Sequence, residues 1–106
     1  MINVSDEVSR FFNRHMRRVL CNLEEARCPE VFKQSVKSSM ILTRGEVLDA
    51  QDTAIETGLI IERRKRELIA DLTGAACNQC FVRAVQSEYE WLAKDVCGLI
   101  ESEGGR

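Results

Sequence analysis

Apolar residues return along this chain every three or four positions with polar residues filling the gaps, the period of helices that bury one side. The first such run is capped by Ser5, whose hydroxyl can accept from free N–H groups of the first turn, and Asp6 and Glu7 suit the positive end of the helix dipole. Val8 begins its stripe, and Phe12, Met16, Val19, Leu23 and Ala26 continue it at steps of 4, 3, 4 and 3, with Phe11 and Leu20 widening the face. Pro29, the only proline, disfavours a helical Cys28, so this helix is expected over about 5–27.

Pro29 suits the start of a second helix over about 29–40, with Val31, Phe32, Val36 and Met40 as its buried positions. Thr43-Arg-Gly-Glu46 matches a capping box and predicts a third helix over 44–73. Val47, Ala54, Ile61 and Leu68 would form its face, with Leu48, Ile55 and Ile69 beside them. Gly58 marks a place for that helix to bend or break, and Gly74 is expected to end it in the left-handed conformation. A fourth helix follows over 75–101, its face made by Cys77, Phe81, Ala84, Val85, Leu92, Val96 and Leu99, with Trp91 at the edge. Residues 102–106 have nothing to bury and are expected to fray. The sum is a single all-α domain, 1–106, a compact bundle of about four helices.

Composition narrows the function classes. Apolar residues make up 44% of the 106 and charged residues 30%, which is globular rather than disordered. The net charge of −2 excludes a whole-surface attraction to phosphate, so any contact with nucleic acid or lipid must be local. No apolar stretch approaches the ~20 residues of a membrane span, and no basic segment leads into an apolar run, which predicts a cytoplasmic protein. Five cysteines, an odd number in a helical chain, fit reduced thiols better than disulfides.

Cys77 and Cys80 have the spacing of a zinc or redox pair and would share a helix face, but no second compact pair accompanies them. They are read as small buried hydrophobes, with a zinc-binding helical module as an alternative. His15, the only histidine, lies among Arg14, Arg17 and Arg18 and is read as a partly exposed surface residue, because no carboxylate and nucleophile stand near it in sequence. Phosphate-cradling glycine loops are missing. A non-enzymatic protein without a cofactor is the expectation.

Two kinds of charged surface remain. Arg10, Arg14, Arg17 and Arg18 fall on one side of the first helix, and Arg63, Arg64, Lys65 and Arg66 form a compact run. Together they define the alternative of a small nucleic-acid-binding transcriptional regulator. Glu46, Asp49, Asp52 and Glu56 are spaced 3, 3 and 4 apart, which on one helix aligns four carboxylates over roughly 15 Å. Such an acidic strip can dock on the basic surface of a partner that handles nucleic acid.

In length, helical class, absence of catalytic motifs and this acidic strip, the chain resembles the small stoichiometric inhibitors carried by phages and mobile elements, anti-CRISPR proteins among them. The resemblance implies binding and blocking of a CRISPR–Cas effector or its nuclease. A protein partner, no membrane, and either a monomer or a homodimer follow as expectations.

Overall fold

The computed structural model describes residues 4–50, 53–74 and 79–104. Four helices account for nearly all of them: α1 (Val4–Glu25), α2 (Glu30–Ala50), α3 (Ala54–Gly74) and α4 (Gln79–Gly104). Each packs on its neighbour in the chain, and α4 returns to α1, so the helices close a ring around one core. Helices of 21 to 26 residues run about 30–40 Å, which gives the molecule its 44 Å long axis.

α1 ends where Pro29 predicts, through a specific turn. Arg27 adopts φ 60, the Cys28 N–H donates to the Leu23 carbonyl at 2.9 Å, and the Arg27 N–H donates to that of Glu24 at 3.1 Å. This is a Schellman motif, with Leu23 and Cys28 both buried beneath it. A side chain in the left-handed region is strained, and the motif tolerates it because two otherwise orphaned carbonyls are satisfied. Pro29 then accepts from the N–H groups of Phe32 and Lys33, opening α2 one residue later.

The second and third helices divide ten residues later than the capping box at Thr43 implies. Val36, Met40, Thr43 and Val47 are all buried, so the stripe of α2 runs straight through the expected boundary. The Thr43 hydroxyl donates back to the Ser39 carbonyl at 2.7 Å instead of capping. The true cap is Thr53, in the sequence Thr53-Ala-Ile-Glu56, whose hydroxyl accepts from the Glu56 N–H at 3.3 Å. Two threonines thus carry the same signature, and core packing selects between them.

Gly58 does not break α3. A Cβ built on it would lie 3.5 Å from the Cys97 sulfur of α4, and the Cys97 thiol donates to the Ala54 carbonyl at 3.3 Å, so α3 and α4 approach closely there. Gly74 stays helical, without the positive φ expected of a cap. α4 continues to Gly104 past the expected fraying point at 102, and its expected start at 75 lies outside the described residues. Ala26, Val31 and Ile55, expected to be buried, are exposed.

Tyr89, the only tyrosine, is wholly buried. Its hydroxyl meets the Ser39 hydroxyl at 2.5 Å, tying α4 to α2 across the core. Burial pushes the phenol above its ordinary value, and hydrogen bonding with Ser39 and Thr43 only partly opposes this. The folded state therefore resists ionisation that the unfolded chain undergoes. Stability from this residue is intact below pH ~10 and falls as pH rises through the folded value. Phenolate absorbance of the native protein should appear at higher pH than that of the urea-unfolded chain; coincident titrations would contradict the burial.

The boundary also has a direct test. Gly45 sits inside α2 with open space around it, so Gly45→Ala should stabilise the protein by about 0.5–1 kcal/mol. Thr53→Ala should destabilise it by about 0.5–2 kcal/mol. Urea unfolding midpoints measure both, and an unchanged midpoint for Thr53→Ala would remove the cap at Thr53.

Candidate functional site

The least expected feature lies between the first and last helices. His15 is buried at 1% exposure, at the position in α1 that completes the stripe Val8, Phe12, His15, Val19. Glu88 of α4 is buried with it. The imidazole Nδ1 contacts Glu88 Oε2 closely, and Nε2 lies 2.7 Å from Asp95 Oδ2. Arg18, one turn further along α1, forks onto the same carboxylate, with Nε 3.1 and 3.0 Å from its two oxygens and Nη2 2.6 Å from Oε2.

Each ring nitrogen of His15 faces a carboxylate oxygen, so either tautomer donates to one of them. Arg18 Nη2 and His15 Nδ1 lie 2.9 Å apart, and each also contacts Glu88 Oε2. The hydrogen bonds to Glu88 raise the Arg18 guanidinium further above its ordinary value. Its outer face stacks on Trp91 at 4.8 Å from the ring centroid. His15 is therefore a core residue, and the expectation of surface exposure is corrected. Sequence reasoning also missed Glu88 and Asp95. The available signal was Glu88 in the series Phe81, Val85, Glu88, Leu92, a charged residue at a stripe position of α4 facing a histidine at a stripe position of α1.

The two basic surfaces differ. In the α3 run every cation has an acidic neighbour: Arg63 and Arg64 both engage Glu46, Lys65 meets Glu62 and Glu90 at 2.9 and 3.8 Å, and Arg66 meets Glu62 at 3.1 Å. On α1, Arg10 pairs with Glu7 at 2.7 Å and Arg14 lies over the Phe11 ring at 5.4 Å. Among the described residues, Arg14 and Arg17 have no carboxylate within 4.0 Å.

The acidic strip does not lie along one helix. Glu46 and Asp49 belong to α2 and Glu56 to α3, while Asp52 lies outside the described residues. Glu46 is turned against Arg63 and Arg64; Asp49 and Glu56 are exposed on either side of the turn between the helices. Beside Glu56 stand two large apolar residues one turn apart, Ile55 at 76% and Leu59 at 64% exposure. A separate cleft of about 620 Å³ follows the α2–α3 seam, with Val31 and Leu42 at its edges and Leu68 in its wall.

Cys80 is exposed, which corrects its reading as a core thiol, and Cys77 lies outside the described residues. Among the described residues no group of three or more histidine, cysteine or acidic side chains is placed to hold a metal ion. No described helix is long and apolar enough to cross a membrane. No protein-family model, curated protein or solved structure matches the chain, so its surfaces are read from their own chemistry.

The buried cluster yields a double-mutant test. His15→Ala or Glu88→Ala alone should cost about 1–3 kcal/mol, because each leaves the other buried group short of a hydrogen-bond partner. His15→Leu combined with Glu88→Leu should recover most of that loss, since Arg18 and Asp95 are each about two-fifths exposed and regain water. A double variant as unstable as the singles, in urea unfolding, would mean that the charges contribute net attraction rather than mutual compensation.

Proposed function

We propose that this chain is a non-enzymatic protein-binding inhibitor or adaptor that docks through the corner joining α2 to α3. The observation that supports this is the pair Ile55 and Leu59, exposed one turn apart at the start of α3. Helix formation needs neither, since the core of α3 is made by Ile61, Leu68 and Leu72. Apolar side chains ringed by charge are the usual energetic centre of an interface. Asp49 and Glu56 supply the charge on this ring, and their sign suits a basic partner surface. The ion-paired run on α3 is less suited to phosphate, because a ligand there would have to displace carboxylates already in place.

The specific form of the proposal is an anti-CRISPR protein: a partner that handles nucleic acid carries the basic surface this corner fits, and covering that surface blocks it. The test adds the purified protein to purified CRISPR–Cas effector complexes and measures target-DNA binding and cleavage. Inhibition is expected, with slower association as salt is raised. Asp49→Lys with Glu56→Lys should slow association, and Ile55→Ser with Leu59→Ser should weaken binding by roughly 30-fold, the scale of a lost hot spot. Helical content should be retained in both. Absence of inhibition by the wild type would remove the CRISPR assignment, and full inhibition by both variants would remove the corner.

A further inference from the structure

We infer that the α1–α4 seam is a binding site for single-stranded nucleic acid, separate from the α2–α3 corner and independent of it. Arg10, Arg14 and Arg17 stand at steps of 4 and 3 along the outer side of α1. With Arg18, Asn13 and Asn22 they line a shallow cleft that includes no acidic residue among those described. The seven helical steps from Arg10 to Arg17 span about 10 Å, the rise of about three nucleotides in a stacked strand. Guanidinium groups in such a row match phosphate oxygens in both charge and fork geometry. Because Arg14 and Arg17 make no ion pair among the described residues, a phosphate can engage them without displacing a carboxylate.

Trp91 supplies what a purely electrostatic surface lacks. It is 53% exposed, and Arg18 lies over its ring at 4.8 Å. Arg18 is itself held by the carboxylate of Glu88, so the indole rests against a fixed support rather than a mobile side chain. A base stacking on the indole would extend this Arg18–Trp91 stack, the arrangement that single-strand binding proteins use without regard to sequence.

The charges on the two helices set the orientation. On α4, Glu90 and Asp95 flank Trp91 and are each nearly half exposed. Glu90 already meets Lys65 and Asp95 already meets His15, so the row of arginines on α1 is what attracts phosphate, and α4 presents the exposed indole. The backbone is therefore placed along α1 and the bases toward α4. A duplex cannot use the site in this way, because its bases are already stacked on each other. An acidic peptide could pair with the arginines but would leave the indole without a π partner.

Trp91 is the only tryptophan in the chain, so its fluorescence reports on the site alone. The protein is titrated with a short oligothymidylate, with the matching duplex, and with polyglutamate, at several salt concentrations. Expected are quenching of Trp91 by the single strand and weaker binding of the duplex and of polyglutamate. The Arg14→Ala, Arg17→Ala double variant should lower the slope of log affinity against log salt by about 1.4, at ~0.7 per lost phosphate contact. Trp91→Ala, followed by anisotropy of a labelled strand, should weaken binding about tenfold. Arg63→Ala with Arg66→Ala should leave affinity unchanged, and circular dichroism checks that each variant keeps its helices. An unquenched Trp91, duplex or polyglutamate binding as tight as the single strand, or an unchanged salt slope in the Arg14, Arg17 variant would each overturn the inference.

Discussion

Glu88 is a carboxylate inside a helical core, and removing it from water costs several kcal/mol unless donors replace the lost hydration. Those donors are His15 and Arg18, both on α1, and they lie within reach only when α4 sits at one height and one rotation against it. An apolar seam can slide by a turn and still bury the same kind of surface. A carboxylate that needs two particular donors cannot. The cluster therefore sets the register of the pair that closes the ring, and α2 and α3 are packed between helices whose relative position is already specified. Tyr89, one residue beyond Glu88, carries the constraint across the core to Ser39 on α2.

The same cluster connects the interior with the surface. Arg18 satisfies Glu88 with its nitrogens and supports Trp91 with its flat face, so the exposed aromatic of α4 is positioned by a buried charge. On the opposite side of the molecule, Glu46 takes up Arg63 and Arg64, which binds α2 to α3 and quenches a basic run that looks prominent in the sequence. Pairing across helices thus decides which charges remain available. Arg14 and Arg17 of α1 make no ion pair among the described residues, and on another side Asp49 and Glu56 stand exposed beside an apolar pair. Two proposed surfaces with opposite charge character occupy one small bundle of net charge −2.

Much of the architecture was legible from local rules. Three- and four-residue spacing identified helices throughout, and Pro29 located the end of α1, because a proline restricts the residue before it whatever surrounds the pair. The boundary between α2 and α3 was not legible in the same way. Thr43 and Thr53 each begin a Thr-x-x-Glu sequence, and a capping box contributes only about 1 kcal/mol. Burial of Met40, Thr43 and Val47 against the other helices outweighs it, and that burial is invisible until the helices are assembled.

The candidate sites follow the same division. The placing of Arg10, Arg14 and Arg17 on one side of α1 is a matter of helical period within a single element, so the residue order alone establishes it. Glu46, Asp49 and Glu56 share a helical period but not a helix, because α2 ends at Ala50 and α3 begins at Ala54. His15 and Glu88 are 73 positions apart, and a lone histidine beside three arginines carries no local sign of a carboxylate on the last helix. Period, caps and proline act over a few residues, so sequence order suffices to specify them. Ion pairing and desolvation act through space between distant segments, and only the packed helices determine which charges meet.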